Sequence, residues 1–86
     1  MKLRAVVKYL GALAHYIVKR KKGSIYEAKL IQYEGKPERN PPSEILMVRN
    51  VGHWSGDIED KDLTDKIGYC LEQESRKGDF FEKEGR

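Results

Sequence analysis

Between Asp60 and about Glu74, the apolar residues Leu63, Ile67, Cys70 and Leu71 recur at i, i+4, i+7 and i+8. That is the stripe of an α-helix with one apolar side. Asp60 and Asp62 crowd its first turn, Arg76 and Lys77 follow its end, and Gly78 supplies a stop. A one-sided helix needs an apolar surface to lie on, and the rest of the chain must provide it.

Upstream the pattern changes from helical spacing to alternation. Glu44 to Arg49 is a short run of strand formers, and Asn50-Val51-Gly52 is a three-residue turn. His53, Trp54 and Ser55 begin the return strand. A second hairpin is written in "KRKKGSIYEAKLIQYEG", with its loop around Lys21-Lys22-Gly23. Tyr16, Val18, Tyr26, Ala28 and Leu30 then share one face, while Lys19, Glu27 and Lys29 share the other with Ile17, Ile25 and Ile31. Residues 35–43 form a polar loop, and Pro41 and Pro42 keep it out of any sheet interior.

The first twenty residues fit two descriptions. As strands, Leu3, Ala5, Val7 and Tyr9 alternate with Lys2, Arg4, Val6 and Lys8. As a helix over residues 2–20, Leu3, Val6, Leu10, Leu13 and Ile17 make a stripe opposite Arg4, Lys8, His15 and Lys19. Ala and Leu at 10–14 favour helix, whereas Val6-Val7 and Tyr16-Ile17-Val18 favour strand. The strand description is preferred, because it also explains the turn at Gly23.

The expected fold class is therefore α+β. Three to five short antiparallel strands form a small sheet packed against one C-terminal amphipathic helix, with an additional N-terminal helix as the alternative. The core is expected to draw on Val18, Tyr26, Ala28, Leu30, Ile45, Met47, Trp54, Leu63, Ile67 and Leu71. Residues 1–74 make a single compact domain and 75–86 a flexible polar tail, in which Phe80 and Phe81 are candidate partner-binding residues.

At 86 residues the chain has little material for both a core and an elaborate catalytic apparatus. A lone cysteine, Cys70, forms no internal disulfide and offers no zinc cluster, which points to a reducing, cytoplasmic setting. Lys8 and His15 interrupt the N-terminal apolar run, so a signal peptide is a poor fit. No stretch approaches the ~20 apolar residues of a membrane span, so no integral membrane insertion is expected.

The stretch "GHWSGDIEDKD" at 52–62 gathers the only tryptophan, His53 and the carboxylates of Asp57, Glu59, Asp60 and Asp62. A calcium loop would place its glycine among the acids and end on a glutamate, and neither holds here. His53 has no second histidine nearby in sequence. The stretch reads better as a hairpin end followed by a helix start, with Asp57 or Asp60 as the cap. Cys70 lies on the apolar stripe beside Leu71 and reads as a packed residue, not a nucleophile. Neither Gly-rich nucleotide-binding pattern occurs. No catalytic residue, metal ligand set or cofactor is expected.

Charge supplies the one positive functional signal. Residues 1–22 carry +7 and no acid, while the remainder carries −4. Lys19, Arg20, Lys21 and Lys22 cluster at the expected hairpin tip, and with Arg4, Lys8 and Arg49 they are candidates for nucleic-acid binding. Exposed sheet tyrosines would then stack on bases. Three functions remain open. The first is a non-catalytic binding or assembly module acting through protein contacts or self-association. The second is a nucleic-acid-binding module using the basic tip. The third is a small metal-dependent enzyme centred on His53 and the 57–62 carboxylates.

Overall fold

The structure, a computed structural model, describes residues 2–75. Strands β1 (Lys2–Tyr9), β2 (Ala12–Lys22), β3 (Ile25–Tyr33), β4 (Glu44–Asn50) and β5 (His53–Gly56) precede helix α1 (Lys61–Ser75). The strands follow chain order in one antiparallel sheet, so each neighbour is joined by a direct connection. The sheet curls around the helix. α1 packs chiefly on β1 and β5, the two edge strands.

The N-terminal helix alternative is overturned, because residues 2–9 and 12–22 are strands paired from Lys2↔Lys19 to Tyr9↔Ala12. Two side chains explain the outcome. Ala5 and Val7 are buried by the alternating pattern, and a helical stripe would have put Val6 and Leu13 inside instead. The turn that makes this possible is Leu10-Gly11, where both residues have positive φ, 50° and 83°. Two consecutive positive φ values are the signature of the tight hairpin turn whose twist matches its strands.

The β2–β3 hairpin closes through Gly23-Ser24, since Lys22 pairs with Ile25. Two irregularities re-aim it. Lys21 is an extra residue on β2, and Ile31 is an extra residue on β3. The β4–β5 turn contains two residues, not three, because Asn50 pairs with His53 and leaves only Val51-Gly52 between the strands.

The helix-facing side of the sheet supplies Ala5, Val7, Ala14, Tyr16, Val18, Tyr26, Ala28, Ile45, Met47 and Trp54. α1 adds Leu63, Ile67 and Leu71. Leu30 and Cys70 are only partly buried against this core. Leu30 sits next to the Ile31 bulge, where the β2–β3 register shifts. Tyr16 reaches past the sheet and donates its hydroxyl to the Pro42 carbonyl at 2.7 Å, pinning the polar loop.

Candidate functional site

The strand period divides the sequence-derived residues between two surfaces. On the face away from α1 lie Arg4, Val6 and Lys8 of β1, and Leu13, His15, Ile17 and Lys19 of β2. Ile25, Glu27 and Lys29 of β3 and Glu44, Leu46 and Val48 of β4 continue it. Five aliphatic side chains of this face are 36–44% exposed: Val6, Leu13, Ile25, Leu46 and Val48. Ile25 and Val48 are directly opposite one another.

Polar groups on this face are tied to one another. Arg4 Nη2 donates to His15 Nδ1 at 3.1 Å, and His15 Nε2 meets Glu34 Oε2 at 2.7 Å. An arginine can only donate, so Nδ1 is the acceptor and the proton sits on Nε2. Lys21 lies 3.6 Å from Glu27, and Lys29 lies 3.9 Å from both Glu27 and Glu44. The lysines and Glu44 are exposed while Glu27 is largely covered, and together they give the middle of the face mixed sign.

The basic residues therefore do not form one patch. Lys19 and Lys22 are exposed at the end of the β2–β3 hairpin, and Lys21 bends over Glu27. Arg20, paired with Tyr26, falls on the helix side and is half-buried. Arg49 also falls on that side, where it forks onto Glu72 of α1 through Nε–Oε1 at 3.0 Å and Nη2–Oε2 at 3.2 Å. The expected stacking tyrosines are absent from the open face. Tyr16 and Tyr26 are fully buried and Tyr9 and Tyr33 are half-buried, because their register puts them with the core. Phe80 and Phe81 lie outside the described residues.

The stretch at 52–62 resolves into separate structural tasks. Trp54 is 6% exposed and packs edge-on against Tyr26, with centroids 5.3 Å apart. Asp57 extends the β4–β5 pairing one residue past Gly56, accepting from the Leu46 amide and donating its own amide to the Leu46 carbonyl. Asp60 is the helix cap, its Oδ1 accepting from the Leu63 amide at 3.0 Å. Asp62 pairs with Lys66 one turn on. His53 turns back toward the Val51 carbonyl. Among the described residues no group of three His, Cys, Asp or Glu side chains could hold a metal ion.

Two grooves flank α1. One of about 890 Å³ lies against the β4–β5 turn, lined by Arg49, His53, Trp54, Asp65, Tyr69 and Glu72. The other, of about 470 Å³, runs along β1, with Val6, Val7 and Lys8 facing Lys66, Tyr69 and Cys70. Tyr69, 68% exposed, stands between them. Neither groove was foreseeable from spacing, because each needs α1 laid beside an edge strand. The exposed Tyr69, off the apolar stripe of its helix, was the available signal.

Burial pushes the Tyr16 phenol well above the usual tyrosine range, and the neighbouring Tyr9 and Asp60 act in the same direction. It is a neutral hydrogen-bond donor, not an acid–base group. No helix among the described residues is long and apolar enough to cross a membrane. No protein-family model, curated protein or solved structure matches the chain.

Proposed function

We propose that this chain is a small non-catalytic assembly module that uses the sheet face away from α1, uncovered among the described residues, to meet a second copy of itself. The observation that carries this reading is the exposure of Val6, Leu13, Ile25, Leu46 and Val48 on one face. Aliphatic side chains gathered on a surface favour contact with another protein. The mixed sign set by Glu27, Glu44, Lys19 and Lys29 suits a self-complementary contact, since a wall of like charge would oppose one.

The test is light scattering coupled to size exclusion over a wide concentration range. The mass should rise from 10.0 kDa toward twice that value. Leu46→Lys combined with Val48→Lys should hold the protein at the monomer mass while leaving its circular dichroism unchanged, because both side chains are exposed. A constant monomer mass up to about millimolar protein, the weak limit of useful affinity, overturns the reading.

A second reading, nucleic-acid binding, is favoured by Lys19 and Lys22 standing exposed at the hairpin end. Titration with short mixed-sequence RNA and DNA at two salt concentrations tests it. Binding that survives Lys21→Glu and Lys22→Glu would remove the tip as the site.

A further inference from the structure

We infer that the outer edge of β1 and its groove against α1 accept an extended, acidic segment of a partner protein as an added strand. The inference goes beyond self-association through the sheet face and concerns a different surface.

β1 is a terminal strand of the sheet, eight residues long, and among the described residues it has a strand neighbour on one side only. In an antiparallel ladder, alternate residues turn their backbone N–H and C=O groups away from that neighbour, offering a template for another chain. One such group is already engaged from outside the sheet, as Lys66 Nζ donates to the Lys8 carbonyl at 3.1 Å. The opposite edge is a poorer template. β5 has only four residues, half the length of β1.

Charge selects the occupant. Lys2, Arg4 and Lys8 all project from the open side of β1, and residues 1–22 contain no acid. A second copy pairing antiparallel through the same edge would set these cations against one another, which disfavours it. A segment with acids at alternate positions meets Lys2 and Lys8 instead, while Arg4 stays turned toward His15. Its intervening side chains then lie in the groove of about 470 Å³, over Val7, Cys70 and the flank of Tyr69. Asp65 also lines this groove, so the side chains that enter it must be apolar and the acids must lie on the face of Lys2 and Lys8. Backbone pairing supplies affinity and the groove supplies selectivity, as in other strand-addition sites.

The probe is a capped heptapeptide alternating glutamate and valine, titrated into the full chain and followed by amide NMR shifts. Shifts should concentrate in residues 2–9 and 65–73, weaken with salt, and affinity should fall about tenfold for Lys2→Glu with Lys8→Glu. N-methylation of alternate peptide amides should abolish binding, because it removes the ladder donors while keeping the charges. Three outcomes overturn the inference: no shifts at millimolar peptide, shifts elsewhere, or undiminished binding of the N-methylated peptide. Residues 3–9 shifting with protein concentration alone would assign the edge to a second copy and overturn it too. The light-scattering result for Leu46→Lys with Val48→Lys is read without peptide, so failure of one proposal is distinguishable from failure of the other.

Discussion

Gly68 of α1 lies directly on the indole of Trp54, and a Cβ at that position would fall inside contact distance of three ring atoms. The ring cannot move aside easily, since Tyr26 holds it edge-on from below. Gly68→Ala sets two effects against each other. Alanine gains up to ~1 kcal/mol in helix propensity, while overpacking a closed core costs about 1–3 kcal/mol. The contact decides the sign, because the obstructing atoms belong to a buried ring. A net loss of about 2 kcal/mol is expected, read as a lower urea midpoint at unchanged slope.

Leu10 makes the opposite case, a residue whose replacement should help. Its φ is 50°, where a branched L side chain is strained, and its side chain is 62% exposed with little packing to lose. Asparagine tolerates that backbone and, before Gly11, completes the preferred pair for such a turn. Leu10→Asn should stabilise the protein by about 0.5–1 kcal/mol, measured by the same urea titration.

Leu10 also marks where the sequence stopped being readable. The helix at 61–75, the β2–β3 facing of Tyr16 and Val18 with Tyr26 and Ala28, and nine of the ten expected core residues follow from periodicity alone. The β1–β2 turn does not, because leucine carries no turn signal and the run Leu10-Gly11-Ala12-Leu13-Ala14 has the composition of a helix. The surfaces were less legible than the core. Arg49 looked like another member of the basic set until β4 placed it beside Trp54 and within reach of Glu72. The tyrosines looked available for stacking until register turned them inward. Sign of charge is local, but which charges share a face depends on pairing partners far along the chain.

Tyr16 predicts the alkaline behaviour. Its phenol has a raised folded-state pKa, so the folded protein keeps the proton that the unfolded chain gives up near the ordinary value of about 10. The associated stability is fully present below that value and is lost as pH rises above it, by at most about 1.4 kcal/mol per pH unit. Tyr16→Phe removes the titrating group and leaves the Pro42 carbonyl without its 2.7 Å donor. The variant should be less stable by about 1–2 kcal/mol near pH 8. Its deficit should shrink as pH rises past about 10, since only the parent is then losing this contribution. A gap between the two that stays constant through that range would contradict the assignment.

The Arg4–His15–Glu34 chain predicts a single tautomer. With Arg4 Nη2 donating to Nδ1 and Glu34 Oε2 accepting from Nε2–H, the neutral ring has only one arrangement that satisfies both partners. Imidazole nitrogen shifts of the neutral ring should show Nε2 protonated and Nδ1 bare. Glu34→Gln should keep that pattern, because its carbonyl oxygen still accepts from Nε2–H. Arg4→Ala should relax it toward a mixture by removing the donor that holds Nδ1 unprotonated. The stability effects should stay within about 1 kcal/mol, since Glu34 and Arg4 are exposed. Protonated Nδ1 in the parent would mean that Arg4 does not reach across from β1 to β2, and that its guanidinium faces solvent along the open edge.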